Sequence, residues 1–341
     1  MSSIQEVATA AGVSRTTVSR YLNRKIKLPN ETMQRIEQAI RDLDYRPNAL
    51  ARRLSLGRSE TIGLVTPEIA NPFFAEIAAR IEARAAARGL SLFVSSTAGV
   101  AARELDVFRR LEDRVVDGLI VMTNRVDDGR LAKAINRTGR VVLLDEDVPG
   151  ADAPRIFAEN RQGAAMATAY LIEEGHRRIA HVGGPEGLFS TVERAAGNRD
   201  ALRAAGIVED PGLCIFGPYT REQGRAAGRE LLKLDSLPTA VFCGSDILAI
   251  GLIETLRDAW RDVPGEVSVV GFDDMPFTSL LHPSLTTVHQ PVAELGDAAF
   301  DALLALIEAD PAALDGIPPP RRLPVRLEIR ASVAPPRRPD P

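Results

Sequence analysis

The sequence is poor in the residues that build disulfide frameworks and metal sites. Its 341 residues include only two cysteines and four histidines. Two cysteines, Cys214 and Cys243, cannot form a disulfide framework or a four-cysteine zinc site. No pair of histidines stands at the H-x-x-x-H spacing of a helical metal site. We therefore expect two reduced thiols, no metal and no cofactor.

Long apolar runs are also missing. No stretch of 18 apolar residues occurs, so the sequence predicts no membrane span. The start, MSSIQEVATAAG, has neither the basic nor the apolar segment of a secretory signal peptide. These absences favour a cytoplasmic protein with no membrane partner, and the length predicts about two or three domains.

Charge is distributed unevenly along the sequence. Residues 1–60 hold 11 lysines and arginines against 6 acidic residues, whereas residues 61–341 hold 31 against 40. A small basic segment ahead of a larger acidic body is typical of a polyanion-binding module joined to another domain. A solvated basic surface is the alternative that charge alone leaves open.

The first fifty residues have the pattern of three short helices. The first is expected at about 4–10, and Gly12 follows it with the backbone freedom that a tight turn needs. Ser14 is an N-cap candidate for a second helix at about 15–22, and Asn30 is one for a third helix. Two helices joined by a tight glycine turn, with a third closing the core, predict a helix-turn-helix.

The second helix leaves basic and hydroxyl side chains on its exposed face. Arg15 and Arg20 can donate paired hydrogen bonds to guanine O6 and N7 in the major groove, and Thr16 can contact a thymine methyl group. Thr17 and Asn23 are better placed to hold phosphates. A three-helix bundle without DNA binding has the same pattern, so both interpretations stay open at this point.

A short basic segment, YRPNALARRLS at 45–55, comes next. Pro47 prevents a continuous helix from upstream, and Asn48 can cap a new helix of about two turns, too short to persist alone in water. Leu50 and Leu54 lie on one face of that helix. Paired with its copy from a second subunit, the helix can enter the minor groove, with Leu54 as a wedge between base steps.

The rest of the sequence alternates apolar strands with helices. The strands are rich in valine, isoleucine and leucine throughout, as expected for parallel sheets that are buried on both faces. The predicted strands are about 61–66, 90–95, 118–122, 141–145, 179–183, 214–219, 240–244, 267–272 and 325–333. Predicted helices include about 74–88, 162–174, 192–205 and 247–260. A ligand of such a fold binds at the carboxyl ends of the strands.

Several segments together closely resemble the lac repressor family (LacI/GalR). They are IQEVA at 4–8, AGVS at 11–14, TVSRYLN at 17–23, YRPNALARRL at 45–54, IGLV at 62–65 and NPFF at 71–74. The resemblance covers nearly the whole chain and implies a headpiece that binds operator DNA as a dimer. The positions expected to contact DNA are Ser14, Arg15, Thr16, Thr17, Arg20, Asn23, Ala51 and Leu54.

The resemblance also implies the domain organisation. An all-α helix-turn-helix headpiece at 1–46 and a hinge helix with its linker at 47–60 precede an α/β core at 61–341. That core has the bilobed periplasmic-binding-protein-like fold, with two doubly wound parallel sheets. The expected lobes are an N-lobe of about 61–160 plus 291–321 and a C-lobe of about 161–290 plus 322–334. The tail PPRRPDP at 335–341 cannot form a leucine-heptad helix, so we expect a homodimer.

The core lacks the motifs of an enzyme. No G-x-S-x-G, Walker lysine loop or G-x-G-x-x-G follows a predicted strand. The turn Gly183-Gly184-Pro185 ends a strand, but its proline lacks the N–H that a phosphate loop would use. Cys243 has no placed histidine base. We expect no enzymatic activity.

Polar and aromatic side chains follow several predicted strands. Asp145, Asp246 and Asp273 end or follow strands, where their carboxylates can accept bonds from ligand hydroxyls. Each aspartate has the alternative role of a helix N-cap, and Arg194 that of a surface salt bridge. Matched to the family, seven positions are effector contacts: Phe73, Asp145, Ser190, Arg194, Tyr219, Asp246 and Asp273.

These residues favour a sugar or sugar acid as the effector. The purine-responsive branch of the family has arginine where this sequence has Leu188. Three departures near the cleft leave the ligand class open: Glu146 replaces a common arginine, Asn198 a common phenylalanine, and Glu159-Asn160 a common Asp-Asn. We expect a dimeric repressor that its effector releases from the operator. The alternatives are a purine-type or other corepressor-dependent repressor, and a ligand sensor without DNA binding.

Overall fold

The computed structural model describes residues 2–22, 26–45, 58–309 and 316–337. Contacts divide the chain into two units, Met1–Glu60 and Thr61–Pro341. The predicted hinge helix lies outside the described residues, as do Asn23, Ala51 and Leu54. Among the residues that the structure does describe, no helix is both long and apolar enough to cross a membrane.

The first unit contains the three predicted helices. They are α1 (Ile4–Ala11), α2 (Arg15–Leu22) and α3 (Asn30–Asp42). Their core includes Val7, Val18 and Ile36, each fully buried. Gly12 ends α1 in the left-handed region at φ 64°, so the turn has the geometry that glycine favours. The predicted cap at Asn30 is wrong, because Pro29 holds the cap position and Asn30 is already the first helical residue.

The second unit contains two six-stranded sheets, which confirms the predicted α/β core. The N-lobe sheet has the order β11-β5-β4-β3-β1-β2 and is parallel throughout, whereas the C-lobe sheet has the order β12-β10-β9-β8-β6-β7 with β12 antiparallel. The N-lobe strands are β1 (Thr61–Thr66), β2 (Ser91–Ser96), β3 (Leu119–Val121), β4 (Val141–Leu144), β5 (Arg155–Ala158) and β11 (Arg321–Leu323). The C-lobe strands are β6 (Ile179–Gly183), β7 (Cys214–Phe216), β8 (Ala240–Cys243), β9 (Ser268–Asp273), β10 (Thr286–His289) and β12 (Arg326–Glu328).

Helices cover both faces of each sheet and bury the valine-, isoleucine- and leucine-rich strands between them. The N-lobe helices are α4 (Pro72–Ala87), α5 (Ala101–Glu112), α6 (Arg130–Thr138) and α11 (Val292–Glu308). The C-lobe helices are α7 (Asn160–Glu173), α8 (Phe189–Ala204), α9 (Arg221–Leu231) and α10 (Asp246–Asp258). The chain passes from one sheet to the other after β5, after β10 and after β11.

Three short strands, β5, β10 and β11, escape the sequence analysis because polar or charged residues interrupt their apolar pattern. Two predicted strands are shorter than expected. The strand predicted at 214–219 ends at Phe216, just before Gly217 and Pro218, and proline cannot donate to a ladder. The strand predicted at 325–333 is reduced to Arg326–Glu328.

Candidate functional site

A cavity of about 500 Å³ lies between the two lobes, at the carboxyl ends of the strands. Loops from both sheets contribute to it, and its volume is typical of small-molecule sites. Six of the seven predicted contact residues line the cavity: Phe73, Asp145, Ser190, Arg194, Tyr219 and Asp273.

Asp246 is the exception, and the structure gives it another position. Its side chain is fully buried and is not among the lining residues. One carboxylate oxygen accepts a bond from the Met275 N–H at 2.9 Å, and the other accepts one from the Thr287 hydroxyl at 2.6 Å. Asp246 therefore holds the β9 loop and β10 together beneath the cleft, while its neighbour Ser245 reaches the cavity.

Arg194 is buried in the first half of α8, which excludes the surface salt bridge considered above. It is 4% exposed. Its Nε donates to Asn160 Oδ1 at 2.8 Å, and its Nη1 donates to the Gly244 carbonyl. The guanidinium stacks 3.8 Å from the Phe272 ring centroid, and Nη1 lies 3.8 Å from Asp273 Oδ1. Arg194 therefore joins α7, β8 and β9 at the wall of the cleft.

Asp273, at the end of β9, is held by two side-chain donors. Ser245 Oγ donates to Oδ2 at 2.9 Å, and Gln290 Nε2 donates to Oδ1 at 2.8 Å. Burial raises the pKa of Asp273 above its usual value. The sequence analysis missed Gln290, because it follows the unpredicted strand β10.

Asp145 and its neighbour Glu146 follow β4 and enter the cleft together. Asp145 has a left-handed backbone with φ 73°, and its buried Oδ1 has no hydrogen-bond partner. Burial raises its pKa to about 6, and the Arg194 charge opposes that shift. Sequence analysis marked Glu146 only as a departure from the family pattern, yet it lines the cavity with Asp145.

Glu146 makes a direct bond between the lobes. Its Oε2 accepts a bond from the Ser190 N–H at 3.0 Å, and its Oε1 pairs with the Ser190 hydroxyl. Burial, followed by the Asp145 charge, raises the pKa of Glu146 to about 8. The Tyr219 hydroxyl lies 3.3 Å from Ser190 Oγ, which places it at the same junction.

Aromatic rings provide the apolar part of the cleft. Phe73 is in the first turn of α4, where Asn71 Oδ1 accepts a bond from its N–H at 3.1 Å. Its ring meets Phe74 edge to face with 5.3 Å between centroids. Phe277 adds a third ring to the lining from the segment after β9. Such rings can stack on the apolar face of a sugar or a base.

In the N-terminal unit, α2 has a serine cap and several exposed polar side chains. Ser14 Oγ accepts a bond from the Thr17 N–H at 3.0 Å and lies 2.8 Å from the Thr17 hydroxyl, which confirms the predicted cap. Arg15, Thr16 and Arg20 are exposed, whereas Val18 is buried. The exposed face of α2 therefore presents two cations and a hydroxyl.

Comparisons with known proteins match both units. Residues 3–48 match the model of bacterial regulatory proteins of the lacI family, and residues 168–333 match that of a periplasmic binding protein-like domain. The chain is 35% identical over 305 residues to the ribose operon repressor of Escherichia coli (strain K12), covering 89% of this chain and 92% of that protein. It is 33% identical over 310 residues to the HTH-type transcriptional repressor PurR of Vibrio atlanticus (strain LGP32), covering 90% and 92%.

A solved structure extends the match to the whole fold. The lac repressor dimer bound to operator and the anti-inducer ONPF superposes with a TM-score of 0.84 at 28% identity, covering 98% of this chain and 99% of that chain.

Proposed function

Because the chain belongs to the lacI family of bacterial regulatory proteins, we propose that it is a dimeric transcriptional repressor, released from operator DNA by a sugar bound in the cleft. The observation that carries this proposal is the pairing, in one chain, of an exposed basic recognition helix with a cavity lined by hydroxyl acceptors and aromatic rings. It acts in the cytoplasm, where the chromosome is accessible.

In the proposed DNA complex, α2 enters the major groove. Arg15 and Arg20 read guanine through O6 and N7, and Thr16 contacts a thymine methyl group or a base acceptor. Ser14 and Thr17, whose side chains already bond to each other, face phosphates. Asn23 is assigned to phosphate as well, and Ala51 and Leu54 to the minor groove, from the sequence alone.

In the proposed effector complex, the cleft binds hydroxyl groups. The carboxylates of Asp145 and Asp273 accept bonds from ligand hydroxyls, Arg194 donates to ring or hydroxyl oxygens, and Phe73 stacks on an apolar face. Ser190 and Tyr219 add hydroxyls at the Glu146 junction. The E. coli relative is named a ribose operon repressor, which agrees with a sugar effector.

Corepression is the second candidate, because several similar proteins are named PurR. In that case a purine would strengthen operator binding instead of weakening it. Leu188, buried at the N-cap of α8, offers a purine no hydrogen bond from its side chain, which favours the sugar proposal. By linkage, an effector that changes operator affinity must have its own affinity changed by DNA by the same factor.

The test is selection of a duplex from a random DNA library, followed by titration at fixed salt with and without a panel of sugars and purines. We expect tight binding to one pseudo-palindromic site, weakened by one sugar. Binding strengthened by a purine would establish corepression. Only sequence-blind, salt-sensitive binding would contradict the repressor proposal.

A further inference from the structure

The first half of α8 contacts the N-lobe at a second place, apart from the bond to Glu146. Four side chains form this contact, here called the interlobe cluster: Phe157 of β5, Arg322 of β11, and Phe189 and Glu193 of α8. Arg322 stands opposite Phe157 in the parallel pairing of β11 with β5. None of the four is among the residues that line the cavity, so the cluster lies behind the effector site and not in it.

Arg322 contacts both α8 side chains of the interlobe cluster. Its Nη1 donates to Glu193 Oε2 at 2.8 Å. Its guanidinium carbon lies 5.5 Å from the ring centroid of Phe189 and 5.9 Å from that of Phe157, and the two ring centroids are 4.5 Å apart. A planar guanidinium can form an ion pair and contact aromatic rings at the same time. One N-lobe side chain therefore holds two positions of a C-lobe helix.

The spacing along α8 connects the interlobe cluster to the effector site. Phe189 and Glu193 are four residues apart and share one face of the helix. Ser190 and Arg194, each the next residue along the chain, form the adjacent face, and both line the cavity. Because the helix is rigid, contacts that fix the first face also fix the second. The interlobe cluster therefore determines how Ser190 and Arg194 stand relative to the carboxyl groups that follow β4.

Other ion pairs of α8 remain within the C-lobe. Asp200 pairs with an α7 arginine, Arg161, at 2.7 Å, and Arg199 pairs with Glu209 at 2.8 Å. The positive charge of Arg161 also acts on Glu193, but its side chain bonds to Asp200. A pair within one lobe is indifferent to movement of the lobes. The Glu193–Arg322 pair forms only while the two lobes keep its partners within reach, so it favours that arrangement.

We infer that Glu193 and Arg322 are positioning residues of the effector site. Their ion pair, with the stacked rings beside it, favours the arrangement of the lobes in which Ser190 and Arg194 face the N-lobe carboxyls. An effector binds only the molecules whose lobes are so arranged, so loss of the pair weakens effector binding without removing a ligand contact. The inference rests on the proposed function for the effector, whereas its effect on the lobes can be measured without one.

The first experiment measures the arrangement of the lobes in the full-length protein, without effector or DNA. Nitroxide labels at Lys133→Cys in α6 and Arg203→Cys in α8 mark exposed positions on opposite lobes. Cys214→Ser removes the half-buried thiol, and Cys243 is fully buried. Double electron–electron resonance then gives the distribution of distances between the lobes. Dilution with unlabelled protein restricts the signal to labels within one chain.

Glu193→Arg places a second cation against Arg322 and should lengthen and broaden that distribution. Glu209→Arg is the matched control, because Glu209 and Glu193 both bond to an arginine at 2.8 Å and their side chains are 27% and 22% exposed. It should leave the distribution as in wild type, since its pair lies within one lobe. Identical distributions in wild type and Glu193→Arg overturn the inference. If Glu193→Arg fails to fold, the milder Glu193→Gln replaces it, with a smaller shift in the same direction.

The second experiment measures effector binding by calorimetry, with D-ribose, D-glucose and D-galactose as probes. The sugar that binds should do so about fivefold or more weakly to Glu193→Arg, and equally well to wild type and Glu209→Arg. Glu193→Gln should weaken binding about two- to threefold in the wild-type background, but not in Arg322→Gln, where its partner is already lost. An equal effect of Glu193→Gln in both backgrounds overturns the role of the pair.

The two experiments separate this inference from the proposed function. If no sugar binds while the selected duplex does, the sugar-effector proposal fails, and the distance distributions still decide whether the pair holds the lobes. If a sugar binds wild type and Glu193→Arg equally well, the pair does not position the effector site, and the inference fails while the sugar-responsive repressor stands.

Discussion

The recognition helix and the cleft present their polar groups in opposite ways. On α2, Arg15, Thr16 and Arg20 are exposed and solvated. In the cleft, Arg194 and Asp273 are 4% and 7% exposed and already bonded to the protein. An exposed side chain contributes little to folding, whereas a buried charge that loses its partners destabilises the fold strongly. Substitutions should therefore affect binding alone on α2, and both stability and binding in the cleft.

The largest expected effect comes from Arg194→Ala. The change leaves Asn160 Oδ1, the Gly244 carbonyl and the buried Asp273 without the guanidinium, so the free energy of unfolding of the core should fall by ~3–5 kcal/mol. Urea unfolding followed by circular dichroism measures it. Arg20→Ala is the control and should change stability by less than ~0.5 kcal/mol. Equal small losses of stability in both variants would show that the buried and the exposed arginine do not differ in their contribution to the fold.

For DNA binding, Arg20→Ala should have a larger effect than Arg194→Ala, the reverse of their order for stability. Arg20→Ala should weaken binding to the selected duplex by ~1–3 kcal/mol and relax the base preference at one position. Fluorescence anisotropy on the selected and on a random duplex, at the same salt concentration, measures both effects. Equal losses on the two duplexes would indicate a phosphate contact in place of base reading.

The buried acids should make the stability of the core depend on pH. The folded-state pKa of Glu146, about 8, lies above its unfolded value, so its stabilising contribution is present at low pH and lost as pH rises through 8. Asp145, Arg194, Ser190 and Tyr219 lie beside it. Between about pH 7 and about pH 9 the free energy of unfolding should fall by about 1 kcal/mol through this group.

Urea unfolding across that range tests the expectation. His176 and His181 contribute little to the pH dependence in this range. Burial lowers their pKa values, so both side chains are largely neutral in the folded and in the unfolded protein. Glu146→Gln should flatten the profile, and Glu186→Gln, at an exposed residue, should not. A profile that keeps its slope in Glu146→Gln would assign the pH dependence to another group.

The smallest expected effect concerns the cap of α2. Ser14→Ala removes the acceptor of the Thr17 N–H and should destabilise the N-terminal unit by ~0.5–1 kcal/mol. Hydrogen exchange of the α2 amides measures this locally. Ser14→Asp is the matched variant, since a carboxylate also caps a helix, and it should restore the protection. Equal protection in wild type and Ser14→Ala would show that packing of Val18 alone holds the helix.

Several details of the cleft follow from packing that a sequence does not display. Asp246 and Ser245 are adjacent and both polar, yet only Ser245 lines the cavity, because the first turn of α10 directs Asp246 beneath the β9 loop. Gln290 reaches Asp273 from the position directly after β10, a strand that the sequence analysis did not predict. Glu146 acquires its partner only because α8 of the other lobe begins beside it.

The sequence by itself determined the local structure, namely α2 with its serine cap and the apolar strands of two parallel sheets, and with the family resemblance it placed six of seven expected contact residues at the cleft. These follow from short-range periodicity, capping chemistry and the rule that ligands meet the carboxyl ends of parallel strands. Only the tertiary structure decided which acids line the cleft, which stabilise the fold and which accept a bond from the N-terminus of a helix in the opposite lobe. Those roles depend on distances between residues far apart in the chain, such as Glu146 and Ser190, and burial then determines the cost of each charge.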